Sequence, residues 1–316
     1  MVAETQTSRL DDAARAGWLY FVAGNTQEEI ARKLNVSRPT AQRLVSLALS
    51  ERLITFRLDH PIAACMELGR RLSDRFGLKY CDIVPSDPAS ADSSLGIAES
   101  AAAFLERQLR SEAPVIVALG TGRTLRRMVD QLPRLNCPNH LLLSLVGNTS
   151  PDGKATFFDV LTKLADLTQS PHFPHPLPVF ASTAEERALY QSLTPLKKLR
   201  ALADKADAVI VGIGQIDEHA QLFLDGVLGR DDLLDLMRSG AVGEIVGWSF
   251  DRSGAIVRNS VNDRVTSIPL PSGDKRLIIG VAMGPSKVNS IRAALTGGLV
   301  NGLITDETTA KAVLAG

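Results

Sequence analysis

Residues 114–131 read PVIVALGTGRTLRRMVDQ. Pro114–Leu119 is a short apolar run rich in β-branched side chains, the signature of a strand buried on both faces. It ends in Gly120-Thr121-Gly122, after which Leu125, Met128 and Val129 recur at helical spacing among arginines. Strand, glycine turn and helix in that order form one half of a βαβ unit, and the rest of the chain repeats the rhythm. Further strand-like runs stand at Tyr80–Val84, Leu141–Val146, Leu177–Ala181, Ala208–Gly212 and Leu277–Met283. Helical patterns cover Pro61–Phe76, Ser93–Leu109, Leu125–Gln131, Phe157–Asp166, Ala184–Gln191, Leu196–Lys205, Asp231–Met237 and Val288–Thr296. This alternation predicts a doubly wound, mainly parallel α/β domain over 59–316. Glu244–Phe250, the turn Asp251–Gly254 and Ala255–Val257 read as a hairpin inserted into that scheme. Thr168–Pro178 holds four prolines with His172 and His175 and reads as a surface loop.

In such sheets ligands bind beyond the carboxyl ends of the strands, where helices begin. Four turns there contain glycine: Gly120-Thr121-Gly122-Arg123-Thr124, Gly147-Asn148-Thr149, Ile213-Gly214-Gln215 and Gly284-Pro285-Ser286-Lys287. Glycine lets backbone N–H groups approach an anion, hydroxyls of Thr121 and Thr124 add donors, and Lys287 supplies charge. Neither GxG sequence extends to GxGxxG, and no GxxxxGK[ST] is present, so a small phosphorylated ligand is favoured over NAD or ATP.

Residues 1–58 read differently. Ala14, Trp18, Leu19 and Val22 suggest the buried face of a first helix over Ala13–Ala23. Thr26-Gln27-Glu28-Glu29 is a capping box opening a short second helix. Ser37 caps a third, with Pro39 in its first turn and Ala41, Leu44, Val45 and Ala48 as its apolar stripe. Within Ile30–Arg57 six basic residues face Glu51 alone. This is a helix-turn-helix pattern, and Ser37, Arg38, Thr40, Gln42 and Arg43 are its candidate DNA contacts. Arginine suits guanine edges or phosphates, and glutamine suits adenine. Leu53–Leu58 reads as a β-like wing.

The whole-chain balance, 35 basic against 35 acidic residues, excludes a polyanion binder built on net charge. Hydrophobic residues at 45% and charged residues at 22% exclude wholesale disorder. Three scattered cysteines and five histidines without HExxH or CxxC give no zinc site and suit a reducing cytoplasm. No apolar run reaches the roughly 18 residues of a membrane span. No cofactor and no catalytic set is expected.

Taken in order, TQEEIARKLNVSRPTAQRLV (26–45), ALGTGRT (118–124), GEIVGWSFDRSG (243–254), the Gly284-x-x-Lys287 turn and ALTGGLVNGLITDETTAKAVL (294–314) resemble the SorC family of bacterial transcriptional regulators, also called sugar-binding-domain or DeoR-like regulators. The resemblance spans nearly the whole chain. It implies a DNA-binding domain at 1–58 and an effector and oligomerisation domain at 59–316 similar to sugar-phosphate isomerases and CoA transferases, without their catalysis. It also implies a tetramer, a dimer of dimers on operator DNA, and a carbohydrate or sugar-phosphate effector. By motif match Gly120, Thr121, Gly122 and Thr124 line the phosphate site with Lys287, while Glu244, and Asp251 beside it, face sugar hydroxyls. Gly147, Asn148 and Gly214 complete the expected effector set. Asn148 and Met283 stand where relatives carry glycine pairs, which leaves a free sugar or polyol open as the ligand. The competing reading is an enzyme, an isomerase or a lyase using Lys287 in the same crevice.

Overall fold

The computed structural model describes residues 2–51, 53–54, 62–86, 94–147, 149, 160–270 and 276–316, with side chains from residue 9. The chain divides into two compact units, residues 1–60 and 61–316.

The first unit holds α1 (Val2–Phe21), α2 (Gln27–Lys33) and α3 (Arg38–Ser50). Its core is Ala13, Ala16, Ile30, Ala31, Ala41, Leu44, Val45 and Ala48. The face of α1 that turns inward differs from the expected one: Trp18 and Val22 stay 54% and 66% exposed. The crossing with α3 is too close for them, since a side chain on Gly17 would stand 2.8 Å from the Ala48 Cβ and 2.5 Å from the Ile54 Cδ1. Only small residues fit that crossing. Of the expected wing, Leu53 and Ile54 form a bend, and 55–58 lie outside the described residues.

The second unit carries β1 (Tyr80–Val84), β2 (Ile116–Leu119), β3 (Leu141–Ser144), β4 (His172–Phe173), β5 (Ala208–Gly212), β6 (Gly214–Gln215), β7 (Gly243–Ile245), β8 (Trp248–Phe250), β9 (Leu277–Val281) and β10 (Gly302–Asp306). Its helices are α4 (Ala63–Phe76), α5 (Ser94–Leu109), α6 (Arg123–Asp130), α7 (Leu161–Thr168), α8 (Ala184–Ser192), α9 (Thr194–Ala203), α10 (Gln221–Leu224), α11 (Arg230–Arg238), α12 (Val288–Thr296) and α13 (Glu307–Ala315). The main sheet is wholly parallel, in the order β1-β10-β9-β5-β2-β3-β4. Alternate residues feed two cores. Ala118, Leu143, Val209, Val211 and Leu303 enter one, and Val117, Leu119, Leu142, Ile210, Ile279 and Ile304 the other. Burial on both faces is why these strands read as unbroken apolar runs.

Four expectations change. Leu177–Ala181 is not a strand; only the isolated bridges Thr149↔Pro178 and Phe180↔Val265 form there. Pro176 and Pro178 lack the N–H groups a ladder needs. The edge strand lies instead at His172–Phe173, inside the expected surface loop. His175 of that loop is 3% exposed. The inserted hairpin turns at Val246-Gly247, pairing β7 with β8 and with β6 in a separate three-stranded sheet. Asp251–Gly254 is a second turn leading only to the bridge Phe250↔Ile256. Finally, Gly302–Asp306, buried throughout, is a central strand that no expectation included. Residues 157–159 of the expected helix before Asp166 lie outside the described residues, and α7 starts at Leu161.

Candidate functional site

In the first unit the Thr26 hydroxyl accepts from the Glu29 N–H at 3.3 Å, and the Glu29 carboxylate accepts from the Thr26 N–H at 2.8 Å. The Thr26 N–H, and next the Thr26 hydroxyl donating to the same carboxylate at 2.9 Å, hold the Glu29 carboxyl below its usual range. Asn35, at φ +52°, makes the turn. Ser37 then caps α3, accepting from the Thr40 N–H at 3.3 Å, and its hydroxyl lies 2.8 Å from that of Thr40. Ser37 and Thr40 thus fix the start of the helix, leaving Arg38, Gln42 and Arg43 exposed as its long donors. Arg43 Nε donates to the Pro39 carbonyl at 3.3 Å, which lays its side chain along the N-terminal turn. Arg38 stands 4.0 Å from Glu28, with both side chains mostly in solvent, so the pair holds it only weakly.

In the second unit β2, β5 and β9 end side by side; β5 runs on into β6 of the three-stranded sheet, and the turn and helix after β9 pack against that sheet. Gly122 caps α6 at φ +125°, ψ 171°, and Gly284 precedes Pro285–Lys287 at φ +106°, ψ 155°. Both conformations are restricted to glycine, and neither position has an atom within 4 Å of where a side chain would point. Two helix starts therefore present backbone to open space. The Gly284 N–H donates to Thr309 Oγ1 at 2.9 Å, tying this turn to α13. Gly120 packs under the hairpin, its side-chain position 3.4 Å from Val246 Cγ1. Val246 itself sits at φ +48°, costly for a β-branched residue, which marks the hairpin tip as strained. Thr121 and Thr124 are partly buried on the same turn.

Glu244 reclines over Gly214, where a Cβ would lie 2.2 Å from its Oε1, and its other oxygen accepts from the Gly247 N–H at 2.8 Å. Burial pushes the Glu244 carboxyl up, opposed by the Gly247 N–H and by the charge of Lys287. Burial likewise pushes the Lys287 ammonium down, opposed by Glu244 and reinforced by Arg123. Lys287 thus lies within the electrostatic reach of both Glu244 and Arg123. Arg123 is also held 3.5 Å from Asp225. Arg123 was not among the expected site residues, although it stands inside the GTGRT turn; its signal was a cation between two hydroxyls.

Two expected residues are placed otherwise. The Asp251 carboxylate accepts from the Ser253 N–H at 2.8 Å, the Ser253 hydroxyl at 2.6 Å and the Ala255 N–H at 3.1 Å, and those bonds hold it below the usual range. Its turn packs on the far end of α12 from Lys287, with the Gly254 side-chain position 2.5 Å from the Ala293 carbonyl. Gly147 is pressed against the Leu177 carbonyl, 1.6 Å from where a Cβ would stand, so its role is close packing. Asn148 lies outside the described residues. Trp248 donates from Nε1 to the Ser267 carbonyl at 3.3 Å under the Arg187 guanidinium. Among the described residues no group of three His, Cys, Asp or Glu could hold a metal ion, and no helix is long and apolar enough to cross a membrane.

The second unit thus carries glycine-lined helix starts with Glu244 and Lys287 on the turns around them, on a chain whose other unit is a helix-turn-helix. A family model described as "Putative sugar-binding domain" matches residues 60–315. The chain is 32% identical over 302 residues to the erythritol catabolism regulatory protein EryD of Brucella abortus (strain 2308), covering 96% of each. It is 28% identical over 308 residues to the deoxyribonucleoside regulator of Bacillus subtilis (strain 168), again 96% of each. The full-length sorbitol operon regulator SorC from Klebsiella pneumoniae superposes with a TM-score of 0.72 at 24% identity, over 96% of this chain and 97% of that one, a likeness of fold. The chain belongs to the sugar-binding-domain family of SorC-type transcriptional regulators. The isomerase or lyase alternative gives way to this, because the relatives are regulators.

Proposed function

We propose that this regulator reads operator DNA through residues 1–58, with Arg38, Gln42 and Arg43 on the duplex and Ser37 and Thr40 fixing the helix that carries them. Residues 59–316 bind the effector and assemble the chain as a cytoplasmic homotetramer, a dimer of dimers. The effector is a small sugar or polyol, free or phosphorylated, of the kind a carbohydrate catabolic operon handles. The observation that carries this reading is the pair of open glycine starts at Gly122 and Gly284, with Glu244 lying over Gly214 and Lys287 standing at the second start. A carboxylate accepts from vicinal hydroxyls, while cations and backbone N–H groups receive an anion. The name of the 32% relative, tied to erythritol catabolism, supports placing polyols first. Binding shifts the relative placement of paired recognition helices, a coupling of about 1–3 kcal/mol in typical switches.

A thermal-shift screen of sugars, polyols and their phosphates tests the site, since a ligand of the folded state raises the melting temperature by mass action. The active compound is expected to lose roughly 30–100-fold in affinity on Lys287→Met, the scale of one charged hydrogen bond in a recessed site. An unchanged shift in Lys287→Met rejects the assigned pocket. Arg43→Ala is expected to weaken operator binding by about 1–3 kcal/mol while leaving the ligand-induced shift intact. Undiminished DNA affinity in that variant rejects the assigned reading face.

A further inference from the structure

Among the described residues of the first unit, one apolar helix face has no partner. Along α1, Leu10, Ala14 and Trp18 repeat every fourth residue, and Val22 continues the line just past the helix end. The core of the unit takes the neighbouring face, through Ala13 and Ala16. Ala14, Trp18, Leu19 and Val22 instead line a groove of about 550 Å³ with Arg15, Leu34, Leu53 and Ile54. An indole that is more than half exposed at the centre of an apolar stripe marks an interaction surface rather than a solvated one.

The charges beside the stripe say what covers it. Asp11 and Arg15 flank it on one side, both exposed. On a helix at 100° per residue they share that flank. Around a two-fold axis an antiparallel copy presents the same flank. Reversing one α1 against another about Ala14 sets Leu10 beside Trp18 and brings Arg15 level with position 13 of the second copy, one and two residues from Asp12 and Asp11. Over Leu10, Ala14 and Trp18 the pattern is self-complementary in apolar size, with opposite charges within side-chain reach, and the small Ala14 sits where the two helices come closest. We propose that α1 is a self-pairing helix, docking through Leu10, Ala14 and Trp18 onto the same stripe of a second copy of this chain. Such a contact holds two recognition helices at a fixed spacing, as a two-fold operator requires. That purpose rests on the DNA-binding reading; the contact itself does not.

The full-length chain carrying Ala14→Cys tests the contact without DNA. Burial raises the thiols of Cys65, Cys81 and Cys137, that of Cys81 to about 12, so they compete weakly for oxidation at neutral pH. After mild oxidation, peptide mapping is expected to find a disulfide between the two introduced thiols of paired chains. Its yield should be roughly ten times that of the interchain bond in a Thr40→Cys control on the reading helix, because only facing positions come within disulfide reach. A yield no higher than the control, or a bond from the introduced thiol to a native cysteine of its own chain, overturns the proposal and means the groove is covered by something else. Trp18→Glu and Trp18→Ala keep the helix, since the side chain lies outside the core. Both are expected to weaken operator binding about tenfold or more through loss of paired half-site reading. The effector-induced thermal shift should be unchanged. Full operator affinity in both variants also overturns the proposal. A failed DNA-binding reading would show differently, with the interchain bond of the Ala14→Cys variant formed and Arg43→Ala silent.

Discussion

Gly147→Ala is expected to cost the second unit about 4 kcal/mol or more, the range reserved for changes the fold cannot absorb. The Cβ would stand 1.6 Å from the Leu177 carbonyl oxygen and 2.8 Å from its carbon. Backbone cannot step aside there. Thr149 bridges to Pro178, and Thr266 bonds the carbonyls of Pro178 and Val179 from the other side. For a unit of this size the loss corresponds to a melting temperature lower by roughly 8–16 °C, or to no folded protein at all. Gly122→Ala is the contrast. No atom waits within 4 Å there, so its cost is only the conformational strain at φ +125°, about 1–3 kcal/mol. Melting curves of the two variants distinguish the roles: equal small losses would reject close packing at Gly147.

The second large effect is acid sensitivity through His175. The ring is almost wholly buried, and neither nitrogen has a well-formed hydrogen bond. Burial pushes its pKa down to about 4, against weaker opposition from the backbone of Thr266 and Leu177. The unfolded chain takes a proton near pH 6.5, the folded one only near 4, so the unfolded state binds more protons between them. Stability from this group is therefore complete above about pH 6.5 and falls as the pH drops toward 4. Between about pH 7.5 and 5.0 the loss comes to about 2 kcal/mol. Denaturant unfolding of the wild-type chain and of His175→Leu at both pH values checks this. The variant is expected to remove about that 2 kcal/mol of pH dependence. It should lose little at the higher pH, because an apolar side chain there leaves no buried nitrogen unbonded. Identical pH dependence in the two proteins would reject the assignment.

His175 also shows where reading a sequence fails. Pro174, His175 and Pro176 look like loop because proline and a titratable ring favour the surface. The ring is buried against residues that include the backbone of Thr266, distant in sequence. The same holds for Gly302–Asp306. Its glycine, threonine and aspartate break an apolar run, yet it lies between β1 and β9 because the sheet needs a strand there. Asp306 at its end caps α13, accepting from the Thr309 N–H at 3.0 Å. The stripe on α1 misled differently. Helical period was correct, but Gly17 and Ala48 made the closest crossing, and large residues on the next face were left outside.

Local chemistry determined much of this protein from sequence alone. The capping box, the glycine turns after apolar runs and the 3.6-residue periods fixed which segments are helix or strand, because those signals act over a few residues. They also marked Gly122 and Lys287, whereas Glu244 came only from the family resemblance. Tertiary structure decided which of the candidates meet. It brought Arg123 and Glu244 each within electrostatic reach of Lys287, turned Asp251 into the closure of a turn, set Leu177 against Gly147 and buried His175. Those outcomes depend on chain crossings between segments tens of residues apart, and no local preference encodes such a distance.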